Sequence, residues 1–422
     1  MGGNVSSLRG PGLPILALTL GHVFSNAVRT LPAVAADVLS RDLGLAPEAL
    51  AALTGAFPAA FALAMVPVGV GLDRWGVRRT ALVLMAIGMA GCALAALAPG
   101  PATMLIAQCV LGMGCAGALM CPMTYAARAM DAHRFGLWSG VIQAVGNSGM
   151  LLSASPLALL VEWQGWRAGF WACGGLAALA FLAVAATVRQ PPPVRAGHRS
   201  AWQDTREILA IAASPGLRAP MTIAFASFAV VLGVRGLWGG PWLMEAKGLT
   251  RIEAGNVLLL VALALVAGPA IAGLVQRLVG RPVVLLAGSH ILVGLLVLLL
   301  PAGGPGGWLG LQPAGFDAAV MVAIGLVISF QILIFAQVRA AVPAEQTGRA
   351  LSANNIAFFG GAAVLQAVSG LAAGWGGTGA ALATFGLALL LCSLGYLWLQ
   401  ARRGGRSGSR RGVNAAASDS AR

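Results

Sequence analysis

Two arginines, Arg29 and Arg235, lie inside long apolar stretches of the chain. A guanidinium offers planar, often bidentate donors to a carboxylate or a phosphate. At bilayer depth an arginine costs about 2.5 kcal/mol or more, so it normally faces a cavity or a partner. Arg29 is 17 residues into its stretch and Arg235 is 18 into its own, which puts them at similar depths. All 13 carboxylates are assigned to positions outside the deep segments. Asp37, Asp42, Glu48, Glu162, Glu245, Glu253 and Asp317 fall near one surface and the others near the opposite one. Asp37 is two turns beyond Arg29, roughly 12 Å along a helix axis. An incoming anion is then the simplest neutraliser of the pair. The alternative is that each arginine snorkels outward or is held by a nearby acid.

His22, Asn26 and Arg29 fall at i, i+4 and i+7, one stripe of a helix. A histidine there either binds substrate, carries a coupling proton or simply packs, since small shifts move its charge across neutral pH. Gln143 and Asn147 form another i, i+4 pair, and Gln108, Gln331, Asn354 and Asn355 are further polar groups in apolar surroundings. Trp238, one turn from Arg235, is a candidate wall for a site; Trp242 reads better as an interfacial belt residue. Cys109, Met113, Cys115, Met120, Cys121 and Met123 concentrate soft ligands in one stretch, and thiolate with thioether suits Cu(I). Cys and Met are also ordinary apolar residues of membrane helices. No Ser-His-Asp set, phosphate-cradling glycine loop or cofactor motif is present, so an enzyme is not expected, and neither a cofactor nor a resident metal is.

The elements that position these groups follow from composition. The chain of 422 residues is 58% hydrophobic and 9% charged, with a mean hydropathy of +0.84. Apolar runs of roughly 20 residues are long enough to span a bilayer. Twelve are read, at about 12–38, 49–71, 80–98, 102–127, 136–160, 168–188, 217–243, 254–275, 283–301, 316–338, 350–374 and 378–400. In lipid each must satisfy its own backbone, so each is a helix. The formal charge of +14 does not point to nucleic acid. With loops assigned alternately to two sides, 21 of the 27 basic residues fall on one side and only Arg41, Arg167, Lys247 and Arg251 on the other. The positive-inside rule makes both termini and the central loop cytoplasmic. All six cysteines fall in spans, which argues against a disulfide framework. One lysine against 26 arginines looks like GC-rich bacterial coding, and the expected location is a bacterial inner membrane.

Between two of the runs stands Gly71-Leu72-Asp73-Arg74-Trp75-Gly76-Val77-Arg78-Arg79, expected to be a tight cytoplasmic loop. It resembles the signature loop of the major facilitator superfamily of transporters. Gln108-x-x-x-Gly112-x-Gly114-x-Ala116 is similar to a second superfamily motif, with Gln where Arg is usual, and Gly165-Trp166-Arg167-x-x-Phe170 is similar to a third. Small residues at this spacing let helices approach closely. The halves echo one another: Val28-Arg29 against Val234-Arg235, and Asp73-Arg74 against Gln276-Arg277. Such repeats accompany parallel bundles about a pseudo-twofold axis.

The resemblance implies an all-α integral membrane protein of twelve transmembrane helices in two pseudo-symmetric six-helix bundles. Residues 1–188 and 217–400 would form the bundles, 189–216 a cytoplasmic linker with a surface helix near Trp202–Ile211, and 401–422 a disordered tail. It implies a cavity lined from His22, Asn26, Arg29, Gln108, Gln143, Asn147, Arg235, Trp238, Gln331, Asn354 and Asn355, and a peripheral, packing role for His290. Gly71, Asp73, Arg74, Gly76, Arg78 and Arg79 would latch the halves on the cytoplasmic side. Val234-Arg235 through Lys247 and Val28-Arg29-Thr30-Leu31-Pro32 resemble the organophosphate:phosphate antiporter group. The expected function is secondary transport of a small organic anion by alternating access, by a monomer whose partners are that anion and the lipid bilayer. A Cu(I) importer, an organophosphate sensor and a drug exporter are the alternatives. The exporter's helix-5 Gly-Pro motif is replaced here by Gly146-Asn147-Ser148-Gly149.

Overall fold

The computed structural model describes residues 11–130, 132–152, 155–189, 213–343 and 347–419, with isolated positions 203, 206, 210 and 211. Every regular element among the described residues is helical. In chain order they are α1 (Gly12–Val28), α2 (Leu31–Val34), α3 (Ala36–Leu43), α4 (Pro47–Arg74), α5 (Gly76–Ala96), α6 (Pro101–Cys115), α7 (Met120–Ala129), α8 (Ala132–Asn147), α9 (Gly149–Leu152) and α10 (Ser155–Thr187). There follow α11 (Arg218–Ala246), α12 (Arg251–Val279), α13 (Pro282–Ala302), α14 (Ala314–Ala340) and α15 (Thr347–Asp419).

Nine helices among the described residues are long and apolar enough to cross a membrane. The difference from twelve sequence runs has local causes. The first run is broken after Val28 and again at Ala35. The fifth is divided among α8, α9 and the start of α10, and positions 153 and 154 lie outside the described residues. The last two runs are joined in α15, where non-helical backbone at Gly376 and Gly377 marks the bend. Pro and Gly in such helices are tolerated because neighbouring helices re-satisfy the freed backbone groups.

Two expectations about connections meet a different structure. The segment 71–79 is not a nine-residue loop: α4 is helical through Arg74 and α5 resumes at Gly76. Gly76 makes the reversal at φ +76, a region open to glycine without a Cβ clash. The tail is helical through Asp419 rather than devoid of structure, and the helix runs on across Gly404, Gly405, Gly408 and Gly412, residues that disfavour it. Most of the linker, including most of 202–211, lies outside the described residues.

The packing centres on α4, α11 and α15. α15 lies along both α4 and α11, α10 along α5, and α10 also meets α12. The glycines of the Gln108 motif act through contact. A Cβ at Gly112 would strike the carbonyl oxygen of Phe57 on α4, and one at Gly114 would come within 2.5 Å of Gly88 N on α5. Their absence lets α6 lie backbone to backbone on its neighbours.

Candidate functional site

A cavity of about 170 Å³ opens where residues from both halves of the chain converge. Arg29 enters it from the break that ends α1, just after Val28. His22 and Ser25 share its wall, with Gln143 and Asn147 from α8, Gln331 from α14 and Asn355 from α15. Phe61 of α4, Phe228 of α11, Phe335 of α14, and Phe358 and Phe359 of α15 supply the apolar wall. Phe61 and Phe359 stack at 3.7 Å between centroids, and the Arg29 guanidinium carbon stands 5.6 Å from the Phe228 ring centroid. That distance is within the range of a cation–π interaction. No Asp or Glu is among the lining residues. Among the described residues the Arg29 guanidinium has neither a hydrogen bond nor an ion pair, and only the backbone N–H donates, to Ser25 O at 3.4 Å. The cavity is thus a mostly apolar, aromatic chamber with one cation and several amides.

Six of the residues expected at a site line this cavity: His22, Arg29, Gln143, Asn147, Gln331 and Asn355. The other five lie elsewhere. Asn26 is buried and donates to Gly146 O at 2.9 Å, tying α1 to α8, with His22 Nε2 at 3.4 Å. Gln108 is buried against Met104, its Nε2 3.9 Å from Sδ. Trp238 is buried and donates from Nε1 to Ser369 Oγ at 2.8 Å. Asn354 is buried outside the cavity, turned about 100° around α15 from its neighbour Asn355. Arg235 is buried too, and donates from a terminal nitrogen to Met150 O. The two arginines are therefore not symmetric walls of one cavity. Arg235 sits in a π-helical stretch, Val231–Trp238. Each such wide turn adds a residue and rotates the downstream side chains by roughly 100° from α-helical register.

The phenylalanines were not singled out from sequence, because nothing in an apolar span distinguishes a cavity-facing Phe from a lipid-facing one. His22 meets α8 closely: a Cβ at Gly146 would strike its ring. His290, given a packing role on a peripheral helix, is fully buried. Asp317, expected near a surface, is fully buried as well and pairs with Lys247 at 2.9 Å. Trp242, read as a belt residue, is buried and donates from Nε1 to the same carboxylate at 2.7 Å.

At the Pro47 end of α4 the two halves of the chain are joined by ions. Arg251 donates to both Asp37 oxygens, at 2.8 and 2.7 Å, and from Nε to Glu162 at 2.7 Å. Close by, Trp166 of the Gly165 turn donates to Asp42 Oδ2 at 3.0 Å. At the other end, around the expected latch, Arg78 donates to Ala185 O at 3.0 Å, while Arg74 and Arg79 are exposed. Gly71 faces Thr80, and the Asp73 side chain lies outside the described residues. The soft ligands of the copper alternative are dispersed. Cys109 and Met113 face a separate apolar groove against α4 and α5, Cys115 and Cys121 are buried as free thiols, and only Met120 lines the cavity. No cluster of three or more His, Cys, Asp or Glu occurs among the described residues.

Comparison with known proteins agrees with this architecture. The tetracenomycin C resistance and export protein of Streptomyces glaucescens is 30% identical over 176 residues, which are 39% of this chain and 31% of that protein. Among solved structures, a D-xylose-proton symporter superposes with a TM-score of 0.73 at 17% identity, covering 91% of this chain and 97% of the other. A POT-family transporter in complex with 5-aminolevulinic acid gives 0.76 at 12% identity, covering 93% and 96%. At such identities the likeness is one of fold. The sequence profile of the Major Facilitator Superfamily matches residues 18–365, most of the chain, and the protein belongs to that superfamily of membrane transporters and is not an enzyme.

Proposed function

We propose that the protein carries a small organic monoanion with an apolar, aromatic body across a bacterial inner membrane by alternating access. In this reading twelve spans form two six-helix bundles, residues 1–188 and 217–400. They are joined by the linker 189–216, with both termini cytoplasmic, and the monomer suffices. The observation that carries the reading is Arg29. It is a cation exposed to a cavity that contains no carboxylate and is walled by five phenylalanines. An aromatic carboxylate would pair its charge with the guanidinium and its ring with Phe61, Phe228 and Phe359. One cavity-lining arginine suits a single negative charge better than the dianion of an organophosphate, which favours a carboxylate over the antiporter group's phosphates. The Arg251 pairs to Asp37 and Glu162 would close the outer end, leaving access from the cytoplasm.

The test is thermal stability of the purified protein with benzoate, phenyl phosphate, inorganic phosphate, benzyl alcohol and Cu(I), for wild type and Arg29→Ala. Ligands that bind only the folded state raise its apparent stability. Benzoate is expected to stabilise the wild type and not the variant. A second reading, export of a neutral aromatic compound, draws on the phenylalanine wall and on the similarity to the tetracenomycin export protein. Equal stabilisation of both proteins by benzyl alcohol, with none from benzoate, would favour it over the anion.

A further inference from the structure

His290 is completely buried on α13, which carries no other ionisable side chain, and the site described above gives it no task. Its Nε2 lies 2.8 Å from Ser227 Oγ on α11. The same hydroxyl lies 3.2 Å from Gln331 Oε1 on α14, and Gln331 lines the cavity. A chain of three side chains therefore joins an imidazole to the binding chamber.

The hydrogens along this chain can be counted. His290 Nδ1 is 2.9 Å from Leu286 O, and a carbonyl only accepts, so Nδ1 carries a hydrogen in either charge state. Ser289 Oγ, 3.1 Å from the same nitrogen, gives its own hydrogen to Leu286 O at 3.0 Å, which fits that assignment. In the neutral ring Nε2 is then a bare acceptor and takes the single hydrogen of Ser227. The hydroxyl has none left for Gln331, so the Gln331 amide must turn its NH2 group to Ser227 and leave its carbonyl oxygen for the cavity. In the charged ring the order reverses. Nε2–H donates to Ser227, Ser227 donates to Gln331 Oε1, and the NH2 group is left for the cavity. The 3.2 Å contact between Ser227 Oγ and the Gln331 amide serves either arrangement, because a half-turn of the amide exchanges its oxygen and its nitrogen.

We propose that His290 is a protonation site that sets, through Ser227, whether Gln331 offers the cavity a donor or an acceptor. Proton uptake at Nε2 then turns an NH2 group toward a bound anion, so protonation and anion binding favour each other. By linkage each strengthens the other equally. The sign of this coupling rests on the anion reading; the reversal of the chain does not.

Among the described residues no competing charge faces His290 from the helices around it. On α11, Arg218 and Arg235 lie roughly two turns or more from Ser227 along the helix, and Glu245 lies farther. On α14, Asp317 is held by Lys247 and Arg339 lies roughly two turns beyond Gln331. On α15, Tyr396 donates to Gln337 at 2.9 Å, Arg402 stacks on Trp398, and Cys392 is a half-buried thiol with no charge to offer.

The test is nitrogen NMR of histidine- and glutamine-labelled full-length protein, titrated over about pH 5 to 8 without ligand, a range in which histidines change charge. The chain has four histidines, so His290→Gln identifies the signal. The His290 ring is expected to take up a proton, with the Gln331 side-chain amide shifting at the same midpoint. In Ser227→Ala the ring still titrates and Gln331 no longer follows. A His290 that keeps one protonation state throughout, or a Gln331 that shifts independently of it in the wild type, would overturn the proposal. In a second arm benzoate affinity is expected to be roughly 5-fold or more tighter at the acid end for the wild type, and flat in Ser227→Ala. If the linked titration occurs but benzoate binds at neither pH, the relay stands and the anion reading falls.

Discussion

Arg29 and Arg235 look alike in sequence, each preceded by valine at matching depth, yet one faces the cavity and the other donates to Met150 across the molecule. Sequence spacing carries the depth of a residue in a span but not its azimuth once the helix departs from α geometry. Asn354 and Asn355 make the same point, since adjacent residues project about 100° apart and only the second lines the cavity. Lys247 and Asp317, 70 positions apart, gave no signal of pairing, because a contact between helices leaves no periodic trace in one sequence. Both members of that pair are almost fully buried, so removing one charge strands the other. Asp317→Asn is therefore expected to destabilise by about 3–5 kcal/mol. Asp317→Leu combined with Lys247→Met should recover much of that loss. Melting temperatures of the single and double variants check this; a single variant as stable as the wild type would mean that the pair is not buried.

The helices themselves were largely legible, because apolar runs of spanning length leave the backbone no other way to satisfy its hydrogen bonds. The runs did not carry the places where a helix breaks or widens: after Val28, at Gly165, along the π-helical Val231–Trp238 stretch and at Gly376–Gly377. These breaks depend on neighbours that re-satisfy the backbone, which is tertiary information. The close approach of α6 to α4 and α5 was readable from Gly112 and Gly114, since only small residues fit such contacts. Gly112→Leu is expected to force α6 off the Phe57 carbonyl and to cost about 1–3 kcal/mol or more. Yield and melting temperature in detergent report it. Gly175→Leu, at a glycine with open space around its Cβ position, serves as the control and should leave both unchanged.

For the whole molecule, family membership was readable from the Gly71–Arg79 segment, whereas the chemistry of the chamber was not, because its five phenylalanines carry no sequence signature. Closure of one end falls to the Arg251 clamp on Asp37 and Glu162 in the proposed cycle. Arg251→Ala should shift the population toward states open at that end. Spin labels at positions 163 and 308, both highly exposed, are expected to show a distance distribution displaced to longer values in the variant. An unchanged distribution would remove the clamp from the conformational cycle. The central claim, that Arg29 receives an organic anion for transport, is tested most directly by uptake of labelled benzoate into proteoliposomes containing wild type or Arg29→Gln. Uptake is expected for the wild type, with its loss in the glutamine variant at unchanged melting temperature, and with competition by other aromatic carboxylates but not by benzyl alcohol. Equal uptake by both proteins, or equal competition by the neutral alcohol, would contradict the claim.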